Sequence, residues 1–277
     1  MNEVGQMKKR TKVILIILAA VVVLQAAWIA FCGWKWGWGP FHKLSEYRYR
    51  SMPGNADRYA VSQVKPSGDE TLKGKTVIFL GSSVTYGAAS LGESFADDLS
   101  ARLQCNVVKE AVSGTTLSTT SPNSYVTRLD NIKTRQADLF ICQLSTNDAS
   151  QKKPLGEVTD SERMEDFDTD TVAGAMEYII AYAKDKWDCP VVFYTNPKYD
   201  SDEYAAMVEL LYEIRDKWGI GVIDLWTELP EITEEERALY MADAIHPTRA
   251  GYLEWWTPVM EKDIIEMMEL TPESSEK

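Results

Sequence analysis

The stretch Phe79-Leu80-Gly81-Ser82-Ser83-Val84-Thr85-Tyr86-Gly87 decides how this chain is read. It continues an apolar run, Thr76-Val77-Ile78-Phe79-Leu80, that stops at a glycine, passes two serines and meets another glycine four residues after Ser83. That pattern predicts a buried strand ending in a tight turn that displays a serine. In open α/β sheets the C-terminal strand ends are where loops held on a rigid frame build sites. Serine at its free pKa is a poor nucleophile, so a site here requires a base, an orienting carboxylate and oxyanion donors from elsewhere in the chain.

Downstream, helix and strand patterns alternate. Phe95, Leu99 and Leu103 recur at helical spacing. A second strand around Val107-Val108 ends at Ala111-Val112-Ser113-Gly114, and a polar loop, Thr115 to Ser124, leads to a helix around Val126 to Thr134. The third strand, Asp138 to Leu144, is apolar almost throughout and therefore central; it ends at Ser145-Thr146-Asn147-Asp148. Ala149 to Asp170 is charged, lacks an apolar period and is long for a connection, as lids often are. There follow a helix near Val172 to Lys186, a strand over Pro190 to Thr195, a helix over Glu203 to Trp218 and a strand over Gly221 to Leu225. Thr233 and Glu236 have capping-box spacing, and a final helix is expected from Pro247 toward Met268. Five such alternations imply a parallel sheet covered on both faces; the strand order expected for it is 2-1-3-4-5, which the alternation itself does not fix.

Upstream, residues 13–34 form an apolar run broken only by Gln25 and Gly33, as a helix roughly 33 Å long and able to cross a bilayer core. Lys8, Lys9, Arg10 and Lys12 crowd its front, in the expected cytoplasmic tail 1–12. Small residues near Leu24-Gln25-Ala26-Ala27 are followed by the large Trp28 and Phe31, which favours an uncleaved anchor over a cleaved signal peptide that would release the protein. Lys35, Lys43, Arg48 and Arg50 lie on the other side, but the N-terminal charges are denser and a long domain is translocated largely regardless of charge, so the domain is expected outside. Trp34, Trp36, Trp38 and Phe41 fit an interfacial belt. Residues 35–70 turn polar without a sustained period and read as a juxtamembrane linker, part of it packed on the domain that follows at 71–277.

The formal charge of −13 argues against a nucleic-acid partner, which requires a basic face. Of the four cysteines, Cys32 lies in the apolar run. Cys105 and Cys189 start strands three steps apart in the expected sheet, too far to bridge, so free and mostly buried thiols are expected, with no metal-ligand spacing. Cys142 reads as a small core hydrophobe. Trp226, Trp255 and Trp256 read as core rather than as a sugar platform, and Glu234-Glu235-Glu236 as a solvated helix start.

Four loops converge on one edge of the expected sheet, bringing Ser83, Gly114, Asn147 and the segment Asp243-Ala244-Ile245-His246. Only two histidines exist, and His42 falls beside the membrane. If Ser83 needs an imidazole, His246 supplies it. A carboxylate three residues earlier can fold back to Nδ1, fixing the tautomer and stabilising the imidazolium formed during attack. Pro247 places His246 at the cap of the last helix. The main-chain N–H of Ser83, Gly114 and the amide of Asn147 suit an oxyanion hole, each donor contributing about 3 to 4 kcal/mol. Taken alone, each motif has an ordinary reading: Gly114 as a turn residue, Asn147-Asp148 as a helix cap, His246 and Asp243 as surface polar groups.

Together these residues resemble the GDSL/SGNH hydrolase family over roughly Thr76 to Ala250. Gly81-Ser82-Ser83-Val84-Thr85-Tyr86-Gly87 resembles its first block, Gly114 its second, Ser145-Thr146-Asn147-Asp148 its third and Asp243-Ala244-Ile245-His246 its Asp-x-x-His block. The family usually has aspartate where Ser82 stands and glycine where Ser145 stands. The expected fold is a flavodoxin-like three-layer α/β/α sandwich behind one transmembrane helix. The resemblance implies esterase, lipase or carbohydrate-deacetylase activity, with Ser83, His246 and Asp243 catalytic and no cofactor or metal. The expected substrate is a small-molecule or glycan ester. Ser82 and Ser145 favour a different class of function, a non-catalytic surface binding module with the same fold; acyl transfer to a glycan is a third.

Overall fold

The computed structural model describes residues 2–36, 39–41 and 43–270, with the side chains of 2–9 and 36 excepted. His42, Trp38, the Trp36 ring and the side chains of Lys8 and Lys9 therefore lie outside the described residues. The chain divides into two compact units, Met1–Ser51 and Met52–Lys277. In the first, helix α1 (Asn2–Trp36) precedes a 3₁₀ turn (Gly39–Phe41) and helix α2 (Lys43–Arg50). Within α1, Arg10–Lys35 is long and apolar enough to cross a membrane, with a mean hydropathy of 2.8, a test that signal sequences also pass.

The second unit is built on five parallel strands: β1 (Thr76–Gly81), β2 (Asn106–Ala111), β3 (Leu139–Gln143), β4 (Val191–Tyr194) and β5 (Gly221–Ile223), in the order β2-β1-β3-β4-β5. Central β3 is buried at every residue. Because side chains alternate across a sheet, Ile78, Leu80, Phe140, Cys142 and Phe193 fill one core while Val77, Phe79, Leu139, Ile141 and Tyr194 fill the other. Helices α5 (Tyr125–Arg128), α7 (Val172–Trp187) and α8 (Asp202–Trp218) close the first core. Helices α3 (Ser83–Tyr86), α4 (Phe95–Leu103) and α11 (Thr257–Leu270) close the second, with Trp255 and Trp256 inside it. The remaining short helices are α6 (Thr146–Ser150), α9 (Glu234–Tyr240) and α10 (Arg249–Gly251). This is the expected architecture. All four cysteines are free, and Cys105, Cys142 and Cys189 are buried.

Two details differ from the sequence reading, and two segments gain a definite place. The helix expected over Val126–Thr134 is one α-turn, α5, continued by a 3₁₀ turn at Leu129–Asn131. The last helix does not begin at Pro247: Thr248 is the N-cap, its hydroxyl accepting from Gly251 N–H, while Pro247 pairs with Met241 in an isolated antiparallel bridge. His246 therefore stands two residues ahead of the cap. The polar stretch 52–70 belongs to the second unit, where 3₁₀ turns at Pro53–Asn55, Asp57–Tyr59 and Val61–Gln63 bury Tyr59 and Ala60. Turns this short leave no hydrophobic period to find.

The other segment is 149–170, the stretch with the character of a lid. It is pinned to α7 and α8 by the wholly buried Glu177, whose carboxylate accepts from Thr159 N–H at 3.1 Å and Trp218 Nε1 at 3.1 Å and pairs with Lys217.

Candidate active site

Why the chain turns sharply after β1 is a matter of space. A Cβ at Gly81 would lie 1.7 Å from Thr85 Oγ1, so only glycine lets α3 fold back over the strand end. Gly87 then closes that single turn at φ +84°, a left-handed conformation that other residues rarely adopt, and receives its stop through a bond from its N–H to Ser83 O at 3.0 Å. Ser83 occupies the first position of α3, where a main-chain N–H has no acceptor inside the helix.

Beneath the turn, Gln143 at the end of β3 organises Ser82 and Thr85. Its Oε1 accepts from Ser82 N at 2.8 Å, Ser82 Oγ at 3.2 Å and Thr85 Oγ1 at 2.9 Å. Three converging donors fix which way the amide faces. Tyr194 OH meets Thr85 Oγ1 at 2.6 Å, tying β4 to the same network. Ser82 is wholly buried and serves the turn through these bonds.

Across the sheet edge, the segment Asp243–His246 comes to Ser83. His246 Nε2 lies 2.8 Å from Ser83 Oγ, and both carboxylate oxygens of Asp243 lie 3.0 Å from His246 Nδ1. A carboxylate facing Nδ1 places the ring proton there and leaves Nε2 to accept from the serine hydroxyl. Asp243 Oδ1 also accepts from the N–H groups of Ile245 at 2.9 Å and His246 at 2.8 Å, so the i, i+3 spacing folds as expected. Partial burial opposes the charge on Asp243, yet these hydrogen bonds and the imidazole prevail and hold its carboxyl down to about 2. Asn196, after β4, donates from Nδ2 to Ile245 O at 3.4 Å.

Gly114 and Asn147 follow β2 and β3, the two neighbours of β1. Gly114 has φ +81° with no atom within 4 Å of where a Cβ would stand, so backbone conformation rather than crowding selects glycine. Asn147 donates from Nδ2 to Thr115 O at 2.9 Å, fastening the third block to the residue after Gly114. Ser145 is the N-cap of α6, its Oγ accepting from Asn147 N at 3.2 Å and Asp148 N at 3.4 Å. Asp148 is buried and accepts from Leu117 N at 2.7 Å and Ser118 N at 3.1 Å, shaping the loop that carries Gly114. Burial pushes its carboxyl up despite those bonds.

All five residues singled out from sequence thus sit at the C-terminal edge of the sheet, with Ser83, His246 and Asp243 in hydrogen-bond contact. Sequence reasoning gave no role to Thr85, Gln143, Tyr194 and Asn196, and read Asp148 only as part of a helix cap or of the third block. Gln143, a polar residue closing an apolar strand, carried a usable signal; the rest look ordinary in one dimension. Among the described residues no cluster of three or more acidic, histidine or cysteine side chains is placed to hold a metal ion.

Comparison with known proteins places the chain in a family and a fold. No curated protein matches the chain significantly. Among solved structures, one chain is 27% identical, covering 72% of this chain and 98% of its own length with a TM-score of 0.59. A Lactobacillus plantarum protein is similar at 20% identity, 71% and 97% coverage and a TM-score of 0.56. A protein of Chitinophaga pinensis DSM 2588, described as a possible lipase, is similar at 15% identity, 71% and 100% coverage and a TM-score of 0.56. At identities of 20% and below, the likeness speaks to the fold alone. The sequence profile of the GDSL-like Lipase/Acylhydrolase family matches residues 79–253, which contain all four blocks, and by that match over more than half its length the chain belongs to this family of hydrolases.

Proposed function

We propose that the protein is a membrane-anchored serine esterase whose catalytic domain faces the extracytoplasmic space. The observation that carries this reading is the contact of Ser83 Oγ with His246 Nε2 at 2.8 Å, with Asp243 clasping the opposite ring nitrogen. In the reaction His246 takes the proton as Ser83 Oγ attacks the ester carbonyl, and the charge arising on the imidazole is stabilised by Asp243. The carbonyl oxygen, now negative, is received by the N–H of Ser83, the N–H of Gly114 and the amide of Asn147. Asn147 has two N–H bonds and spends one on Thr115 O. His246 then gives its proton to the departing alcohol, and water, activated the same way, releases the acid.

Ester cleavage by this route draws on side chains and main-chain N–H groups already described. Esters of surface glycans, O-acetyl groups above all, are the substrate class we favour for a domain held outside the cell by the span Arg10–Lys35. The test is hydrolysis of p-nitrophenyl acetate by the full chain in detergent, compared with Ser83→Ala. Equal rates in the two proteins would remove Ser83 as nucleophile, and a burst of p-nitrophenol of one equivalent per chain is the positive result.

A further inference from the structure

Upstream of the family match, one buried side chain touches both halves of the site. Asn55 lies in the 3₁₀ turn Pro53–Asn55 and is 3% exposed. Its Nδ2 donates to Ala89 O at 2.7 Å, and its Oδ1 accepts from Arg249 N–H at 2.9 Å. Ala89 belongs to the loop that leaves α3, and the neighbouring Ala88 N–H returns to Ser83 O at 2.9 Å, so this loop is rigidly coupled to Ser83. Arg249 is three residues past His246. The chain between them is held by Ala242 N–H to His246 O at 2.9 Å and Thr248 N–H to Tyr240 O at 2.8 Å.

We infer that Asn55 is a positioning residue for the Ser83–His246 pair: one carboxamide spans the loop behind the serine and the loop behind the histidine and sets their separation. This rests on the esterase reading given above.

Three further contacts make the clamp stiff. Arg249 Nη1 donates to Asn55 O at 3.3 Å, and Arg249 Nη2 donates to Glu93 Oε1 at 2.8 Å. Glu93 Oε2 in turn accepts from Val61 N–H at 2.9 Å, closing a ring from the 52–63 segment through the serine loop to the histidine loop. Gly54 lets the segment approach: a Cβ there would lie 2.0 Å from Leu239 O and 2.4 Å from Thr248 Oγ1. On this inference the stretch 52–63 serves the site rather than acting as a spacer.

The chemistry of a carboxamide makes the claim testable. Asn55 must donate to one loop and accept from the other, and no carboxylate does both. Asn55→Asp keeps an acceptor for Arg249 N–H but faces Ala89 O with a second oxygen. In the full chain in detergent micelles, the limiting rate of labelling by a fluorophosphonate is expected to fall about ten- to a hundredfold in Asn55→Asp, with the half-saturating probe concentration within about twofold of wild type. Ser67→Ala removes one of two bonds that tether the chain just after this segment, Ser67 Oγ to Arg102 O at 3.2 Å, the main-chain N–H keeping the other at 2.9 Å, and is expected to label like wild type. Should Asn55→Asp show no thermal transition, Asn55→Ser, too short to reach both loops, carries the same comparison.

Wild-type labelling in a folded Asn55 variant overturns the inference. So does a loss in Ser67→Ala as large as that in Asn55→Asp, which would mean that any loosening of the segment has the same effect. A wild-type chain that takes no label sinks the esterase reading itself, and this inference with it.

Discussion

The buried guanidinium of Arg128 donates from Nη2 to the carbonyl oxygen of Gly81 across 2.8 Å, two residues before Ser83. The same nitrogen donates to Thr115 Oγ1 at 3.0 Å, next to Gly114. Nη1 donates to Glu110 O at 3.2 Å and to the Glu110 carboxylate at 3.0 Å, while Nε donates to Asn123 O at 3.0 Å. One planar fork thus holds the end of β1, the end of β2 and the second-block loop in register. Lysine keeps the charge but not the fork. Arg128→Lys is expected to leave at least two of these acceptors unpaired, at about 1 to 3 kcal/mol each, and to lower kcat about tenfold or more. Calorimetry and ester kinetics on the same samples decide it; a variant with unchanged Tm and kcat would mean the fork positions nothing.

For the proposed oxyanion donors, Asn147→Ala is expected to reduce kcat by about 10² to 10³ with little change in KM, because the hydrogen bond proposed to be lost strengthens only as charge develops on the substrate oxygen. The variant also takes from Thr115 O the shorter of its two side-chain bonds, leaving the one from Ser145 Oγ at 3.4 Å, so a modest stability loss of about 1 kcal/mol should accompany it. A proportional rise in KM instead would place Asn147 in ground-state binding.

Asp243 gives a pH-dependent prediction. Its carboxyl lies at about 2 in the folded protein, below the ordinary 3.8, so the folded state holds fewer protons than the unfolded one between those values. The stability it contributes is complete above about pH 4 and disappears as pH falls through about 2. Thermal melts of wild type and Asp243→Ala should therefore differ most above pH 4 and converge toward pH 2. In the reaction, Asp243→Asn is expected to lower kcat by about 10⁴ at neutral pH, since an amide can hold the imidazole in the wrong tautomer.

Asp98 behaves in the opposite sense. Burial, with help from the charges of Asp97 and Glu93, pushes its carboxyl up to about 8, although Thr257 Oγ1 lies within 3.5 Å. The folded state then holds more protons than the unfolded one between about 4 and 8, so this group's contribution is fully present below pH 4 and is lost as pH rises through 8. Asp98→Asn, neutral at every pH, should abolish that slope and stabilise the protein at pH 9 by an amount on the order of a few kcal/mol. Urea titrations of both proteins at pH 5, 7 and 9 measure it, and parallel pH profiles would refute it.

The pinned loop supplies a last expectation. Glu177→Ala leaves Lys217 without its buried counter-charge and Thr159 without its acceptor, which should cost about 3 to 5 kcal/mol. Hydrogen exchange over 156–163 should rise while kcat on a small ester stays as it was. Faster exchange accompanied by a large change in kcat would show that the loop governs access to Ser83 after all.

How much of this could be read in one dimension follows from how each feature is encoded. The five strands, the two-faced core and the four blocks come from local patterns: apolar runs of strand length, helical spacing between them, and short polar motifs at their ends; the order of the strands across the sheet is a tertiary relation that these patterns leave open. The Asp243–His246 clasp is equally local, since three residues of spacing in a turn bring carboxylate to imidazole. Pro247 misled because its preference for a first helical turn is weaker than the N-cap bond that Thr248 makes.

By itself, then, the sequence determined a parallel α/β sheet behind an apolar N-terminal helix, the family, and the residue types of the site. Only the tertiary structure decided what holds those residues together. Gln143 beneath Ser82 and Thr85, Arg128 between two strand ends, and Asn55 between the serine and histidine loops act across separations of 34 to 194 residues in some of their bonds. Their partners are often main-chain carbonyl and N–H groups, which every residue carries. A carbonyl has no letter of its own, so a side chain selected to meet one leaves no mark on its partner's position in the sequence.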